Sequence, residues 1–342
     1  MNLSQGPLVK AAVFKLSTGK VMVLCIHHYV IDGVSWRIIL DDFEVGVKQF
    51  KEKQEIKLAD KTASYIQWAQ LLNEYKDSKE FALEREYWNR KIEDVVKYQF
   101  EFIDDNNVYN HMENITFSLS KDLTDDLLFK SNQTFNTEIN DILLSALVRA
   151  FANQFHIQGI TVDIEGHGRE KLHRNIDIDR TVGWFTDVYP VVLENKSDVE
   201  DLIVANKEML HSVINKGIGY GLMDFCNTDS KISFNYLGSF DKENFGNNKY
   251  RTGSTIAPEN QLPNDISFDS MVEDGVLKCH IIYNFRKYST KTILDLSESY
   301  QKVLCEIIEY CVNSTDQIRT SSDYNSNLST SDFNAILAEL SI

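Results

Sequence analysis

The stretch His27-His28-Tyr29-Val30-Ile31-Asp32-Gly33-Val34-Ser35-Trp36-Arg37-Ile38-Ile39-Leu40-Asp41-Asp42-Phe43 marks the point where one hydrophobic period gives way to another. Before it, Val9 to Leu16 and Val21 to His28 are two β-prone runs separated by Ser17-Thr18-Gly19-Lys20, the pattern of a hairpin that ends at the histidines. After it, Ile39, Phe43, Val47 and Phe50 recur at helical spacing, with Ser35 near the start as a candidate cap. Strand, turn and helix meet at the motif. Neighbouring residues of a strand point to opposite faces, so His27 and His28 serve one pocket together only if the strand has already ended.

Working outward, Tyr65 to Leu72 and Phe81 to Ile92 read as helices carrying Trp68 and Trp88 as core anchors. A charged, irregular region follows. From about Glu113 a second unit begins: a strand Ile115 to Leu119, a short helix after Ser120, and a long helix with Ile139, Ile142, Leu143, Ala146, Leu147 and Ala150 on one face. The strand Ile160 to Ile164 then delivers Glu165-Gly166-His167-Gly168-Arg169-Glu170 at its end. Ser197-Asp198-Val199-Glu200 has capping-box spacing before a helix that runs to about Ile214. Strands are expected at Ile232 to Leu237, Ile266 to Val272 and Val276 to Phe285, followed by a helix burying Ile293, Leu296, Tyr300, Val303, Ile307 and Tyr310. Beyond Val312 the chain is rich in Ser, Asn, Thr and Asp, a surface tail with one short helix near Phe333 to Leu340. The domain boundaries this suggests are 1–97, 98–312 and a tail 313–342.

Composition narrows the function classes. The chain has 342 residues, 43% apolar and 25% charged, with 4 prolines, which describes a folded protein long enough for two lobes. With 35 Lys and Arg against 51 Asp and Glu, its net charge of -16 opposes binding to nucleic acid or an anionic membrane. Cys25, Cys226, Cys279, Cys305 and Cys311 are odd in number, lack a CxxC pair and sit in apolar runs, as reduced core residues of a cytoplasmic protein would. No apolar run approaches a bilayer span, and Met1 to Lys10 has no signal-peptide pattern.

Each polar cluster also has an ordinary reading. The two histidines could be satisfied core or edge residues, and Asp32-Gly33 a commonplace turn. A zinc site at His27, His28 and Asp32 lacks a third His or Cys at ligand spacing. The more specific role for Asp32 is a buried acceptor for an arginine fork that fixes the loop, with Arg37 and Arg169 as candidates. Gly166-His167-Gly168 lacks phosphate-loop spacing, but its glycines let backbone approach closely. Neither GxSxG nor a Cys–His nucleophile framework is present.

Together these segments closely resemble the epimerization domains of nonribosomal peptide synthetases, within the condensation-domain superfamily. HHYVIDG resembles the superfamily's HHxxxDG signature, and its continuation Gly33-Val34-Ser35-Trp36-Arg37 resembles the epimerizing rather than the amide-forming members. NDILLSALVRA at Asn140 to Ala150, EGHGRE at Glu165 to Glu170, DIDRTVGWFTDVYPV at Asp177 to Val191, NKGIGYG at Asn215 to Gly221 and FNYLGSF at Phe234 to Phe240 follow in the family's order.

The resemblance implies an α/β (α+β) fold of two chloramphenicol-acetyltransferase-like lobes with a tunnel between them. It implies an isomerase that inverts the α-carbon of an L-aminoacyl or peptidyl thioester, with His28 and Glu165 as the proton-transferring pair. In general an imidazole near pKa ~6.5 and a carboxylate raised by burial suit that task near neutrality. By the same resemblance His27, Asp32 and Gly33 support the His28 loop, Arg169 orients Glu165 or Asp32, and Asn235 and Tyr236 line the cleft. No cofactor or metal is expected on this chain. The phosphopantetheine arm belongs to a peptidyl carrier (thiolation) domain, and an upstream synthetase module is the other expected partner. An amide-forming condensation domain and a catalytically silent carrier-docking fragment are the alternatives. Family members carry a sizeable segment before the His pair, so the N-terminal lobe is expected to be truncated, leaving apolar faces of the hairpin and of the Val34 to Lys51 helix uncovered.

Overall fold

A computed structural model describes residues 1–17, 19–98, 108–170, 172, 176–223, 230–240, 253–315 and 317–324. Contacts divide the chain into two units: Met1–Ala82 with Gly166–Asp187, and Leu83–Glu165 with Val188–Ile342. Where the sequence suggested one cut near residue 97, the division falls inside a helix, and the segment 166–187 returns to the first unit.

The first unit contains β1 (Val9–Leu16), β2 (Gly19–Ile26), α1 (Gly33–Lys51), α2 (Tyr65–Lys76) and the opening turn of α3 (Lys79–Lys97). β1 and β2 pair antiparallel with Leu16 opposite Gly19, the expected hairpin. Strand pairing stops at Ile26, and His28–Val30 form a single 3-10 turn, so neither histidine belongs to a strand. Asp32, not Ser35, caps α1: its carboxylate accepts from the Ser35 backbone N–H at 2.7 Å. The expected inward face of α1 is also corrected. Ser35 and Ile38 are buried, whereas Phe43 and Phe50 are 50% and 74% exposed. Tertiary anchors decide this orientation, because Ser35 bonds to Gly183 and Asp42 pairs with Arg180 at 2.5 Å, both on one side of the helix. Val13, Phe14, Met22 and Cys25 on the hairpin are exposed as well. α2 begins with a capping box between Ser64 and Gln67, and Trp68 is buried against Phe185.

The second unit takes the rest of α3 and adds β3 (Met112–Ser118), α4 (Lys121–Phe129), α5 (Asn132–Phe135), α6 (Ile139–Phe155), β4 (Gly159–Gly166), β5 (Asp187–Glu194), α7 (Val199–His211), β6 (Ile232–Phe240), β7 (Ile266–Glu273), β8 (Val276–Asn284) and α8 (Thr290–Asn313). Six strands form one sheet in the order β3-β8-β7-β6-β4-β5. β4, β6 and β7 run parallel, while β8 is antiparallel to both of its neighbours. One face is covered by α6 and α8: Phe151 of α6 and Tyr300 of α8 both meet Phe268 edge-on. α6 is buried on every side from Asp141 to Val148, more completely than the one-faced pattern suggested. α8 is as expected except that Tyr310 is partly exposed.

Two other expectations are corrected, and one strand had not been anticipated. β5 was not legible as a strand, because Asp187-Val188-Tyr189-Pro190 lacks alternation and proline is tolerated in sheets mainly at edges, where this strand lies. Asp198 rather than Ser197 caps α7, accepting from the Glu200 and Asp201 N–H groups. The segment after Val312 is not simply a surface tail: Asp323 pairs at 2.8 Å with the fully buried Lys207, and Thr320 and Ser321 are buried. Cys279 and Cys311 are core thiols and Cys305 is half-buried. Cys226 and the expected helix near Phe333 to Leu340 lie outside the described residues. Among the described residues no helix is long and apolar enough to cross a membrane.

α3 also fixes the loop after α7. Glu84 is fully buried and accepts from Trp88 Nε1 at 3.3 Å, Asn215 Nδ2 at 3.2 Å and the Gly219 N–H at 3.1 Å. Any Cβ at Gly219 would fall 2.2 Å from that carboxyl carbon. Glu84→Ala removes the acceptor of two buried donors, Trp88 Nε1 and the Gly219 N–H, and by the ~1–3 kcal/mol penalty for each such group it is expected to destabilise the second unit by about 2–6 kcal/mol, read as a lower denaturation midpoint. Glu84→Gln, which keeps acceptor and shape, is expected to lose less. An equal loss for both would sink the hydrogen-bond account.

Candidate active site

In the first unit the HHxxxDG segment is held by one buried ion pair. Arg169 Nη2 donates to Asp32 Oδ1 and Oδ2 at 3.2 and 3.1 Å and to Ser35 Oγ at 3.0 Å. Its Nη1 donates to the carbonyls of Ile178 and Thr181, and the guanidinium lies 3.9 Å from the Phe185 ring centroid. Asp32 also accepts from the Phe185 N–H at 3.1 Å. The Asp32 and Arg169 side chains are 2% and 7% exposed, so both charges are paired where water cannot screen them. Of the two candidate partners, Arg169 is the one that meets Asp32, and Arg37 is exposed.

Glycines make this approach possible. Gly168 adopts φ +62°, and a Cβ there would sit 1.7 Å from the Phe185 carbonyl oxygen. Gly33 has open space around its Cα, so its value lies in starting α1 directly after the cap, not in a close contact. His27 Nδ1 accepts from the Tyr29 N–H at 3.2 Å, which fixes its ring beside Tyr29. The exposed His28 packs edge-on against Trp184 at 5.5 Å, and Trp184 stacks on Tyr29 at 5.3 Å. The histidines thus sit in an aromatic array supplied by their own turn and by the 183–185 segment.

In the second unit Glu165 stands at the end of β4. Asn235 Nδ2 donates to its Oε2 at 2.6 Å. Solvent reaches the side chain, but crowding by protein strips hydration from the carboxyl, and with the nearby Asp269 carboxylate this pushes its pKa up to about 7 against the opposing Asn235 bond. Burial raises Asp269 too, opposed by His280. Tyr236, the next residue of β6, pairs in register with Ser270 and projects by strand alternation from the other face, so the row that carries Asn235 does not bring it to Glu165. His28 belongs to the first unit and Glu165 to the second.

Sequence reading missed Trp184 and Phe185 as partners of the His turn, Asp269 as a group acting on Glu165, and His280 as the residue opposite Asp269. The signal for Asp269 was present: in Ile266-Ser267-Phe268-Asp269-Ser270 the apolar residues alternate with polar ones, placing a carboxylate on the face away from the core.

Comparison with known proteins identifies the family. A condensation-domain family model matches residues 1–328. Tyrocidine synthase 2 of Brevibacillus parabrevis is 35% identical over 94% of the chain, and gramicidin S synthase 1 of Brevibacillus brevis 36% identical over 95%. The chain spans 10% and 32% of those proteins' lengths. Among solved structures, the epimerization domain from the third module of tyrocidine synthetase B superposes with TM-score 0.82 at 35% identity, covering 90% of this chain and 73% of that one. A protein from Streptomyces globisporus, SgcC5, shares the fold at TM-score 0.66 and 14% identity, covering 89% and 72%.

Proposed function

Because this chain belongs to the condensation-domain family, as a domain of nonribosomal peptide synthetase type with chloramphenicol-acetyltransferase-like lobes, we propose that it epimerizes the α-carbon of an L-aminoacyl or peptidyl thioester carried on the phosphopantetheine arm of a peptidyl carrier domain. The observation that carries the reading is Glu165, a strand-end carboxyl whose proton affinity is matched to neutral pH. That the 35%-identical structural relative is an epimerization domain supports it.

The chemistry requires the α-C–H bond to break toward a base, with the electron pair passing into the thioester carbonyl as an enolate. A proton then returns to the opposite face. Glu165 and His28 are the proposed proton carriers. Asn235 holds the Glu165 carboxyl in one orientation, and the Asp32–Arg169 pair holds the turn that presents His28.

The test is to incubate the chain with a carrier domain bearing an L-aminoacyl pantetheine thioester in heavy water. Solvent deuterium at the α-carbon and a D-configured product are expected. A dipeptidyl product without α-exchange, given a second loaded carrier, would assign amide formation instead, and a stably folded chain that does neither would be a silent docking module.

A further inference from the structure

Strand register places Glu165 in a longer polar row. Ile164 pairs with Phe234, and Phe234 with Phe268, so Glu165, Asn235 and Asp269 stand side by side at the next position. Asp269 in turn is opposite His280, and His280 is opposite Thr116. Residues facing each other across adjacent strands share a side of the sheet. One row, Glu165-Asn235-Asp269-His280-Thr116, therefore crosses from β4 to β3. The opposite side at the adjacent level is Ile164, Phe234, Phe268 and Ile281, all buried in the core beneath α6 and α8.

The contacts along the row are specific. The Asn235 amide is committed to Glu165 at 2.6 Å, and at the other end His280 Nδ1 shares a hydrogen bond with Thr116 Oγ1 at 3.0 Å. Glu165 feels the Asp269 charge, and Asp269 feels that of His280. Other charged groups on this side of β4, β7 and β8 have partners of their own. Asp163 on β4 accepts from Asn264 Nδ2 at 3.1 Å, and Glu273 on β7 pairs with Lys278 on β8 at 2.5 Å. β6 and β3 contribute the neutral side chains Ser233, Asn235, Asn114 and Thr116 to this side.

We propose that Asp269 is a positioning residue for Glu165: through the shared row its charge, balanced by His280, sets the pH at which Glu165 gains and loses its proton. Two carboxylates in one row disfavour each other's ionised form, so the pair holds a proton at a pH where a solitary carboxylate would have lost it. Asp269 needs no contact with substrate for this effect. The inference rests on the proposed proton-carrying role of Glu165, and it predicts a quantity that can be read without turnover.

The measurement is a carbon-13 NMR titration of the full chain labelled at the glutamate carboxyl, with the Glu165 signal assigned by its loss in Glu165→Gln. The wild-type midpoint is expected near pH 7. In Asp269→Asn, which removes one negative charge at constant shape, it should fall by at least about half a pH unit. Asp269→Glu restores the charge and should bring the midpoint back toward the wild-type value. Asp269→Ser serves as a second neutral variant should the Asn protein fold poorly. An unchanged midpoint in a folded neutral variant overturns the inference. The pH dependence of α-carbon exchange separates this from the functional reading. If the Glu165 titration moves in Asp269→Asn while the exchange profile stays fixed, Asp269 tunes Glu165 as inferred but Glu165 is not the proton carrier.

Discussion

Glu165→Gln is expected to lower α-carbon exchange by about 10²–10⁴-fold, the usual contribution of a positioned general acid–base group. Glutamine keeps the carbonyl oxygen that accepts from Asn235, so the local bond and the end of β4 should survive. What is lost is the ability to take up and release a proton near neutrality. The pH profile provides an independent check. If Glu165 and His28 divide the two proton transfers, the L-to-D direction needs one of them proton-free and the other proton-loaded, and the reverse direction exchanges the roles. Both working forms hold the same number of protons. The kcat/KM profiles for the two directions must therefore have the same bell shape, with one limb governed by the Glu165 titration near pH 7. That limb should vanish from the residual activity of Glu165→Gln. Retention of near-normal exchange, or an unchanged profile, would remove Glu165 from the mechanism.

The sequence was most legible where local chemistry and tertiary packing agree. β6, β7, β8 and the helices α6 and α8 lie close to where periodicity placed them, because their apolar residues are the ones the core uses, whereas β1 and β2 lie there through the hairpin pattern although their side chains are largely exposed. α1 shows the opposite case. Its period is helical, but Ile39, Phe43, Val47 and Phe50 do not form its buried side, since Ser35 and Asp42 meet their partners on the 180–183 segment some 140 residues further on, and Ser35 and Ile38 are the residues it buries. No local pattern carries that information. The same holds for the site. An arginine partner for Asp32 was readable, with Arg37 and Arg169 as the two candidates, because a buried carboxylate calls for a fork-shaped donor, whereas the aromatic contacts of Trp184 depend on the 166–187 segment returning to the first unit. Glu165 was recognisable by its motif. Its raised proton affinity was legible only as the general effect of burial, which is the larger cause, and the added push of Asp269 was not, because Asp269 acts through a strand order, β4-β6-β7, that sequence does not state.

Arg169→Ala is expected to loosen the HHxxxDG segment by about 3–5 kcal/mol, the usual penalty for breaking a buried ion pair. Three losses combine: the charge facing Asp32, the donors to the Ile178 and Thr181 carbonyls, and the guanidinium packed over Phe185. Asp32 keeps its bonds from the Ser35 and Phe185 N–H groups, so the effect should appear as local opening of the segment. The direct readout is hydrogen exchange at Phe185 and Gly183, whose N–H groups donate to Asp32 and Ser35. At 1.4 kcal/mol per decade, 3–5 kcal/mol corresponds to exchange roughly 10²–10⁴-fold faster, with amides in α6 and α8 unaffected. Arg169→Lys tests whether charge alone suffices. A single ammonium supplies a point charge and cannot reproduce the planar fork that meets Asp32 and Ser35 on one nitrogen and two carbonyls on the other, so it should recover only part of the protection. Asp32→Asn combined with Arg169→Ala closes a double-mutant cycle in which a coupling on the order of 1–3 kcal/mol is expected. Additive losses with no coupling would mean that the pair is incidental to the segment. Because Trp184 lies between Gly183 and Phe185 and packs on His28, the same opening should reduce α-carbon exchange without any change to the histidine itself.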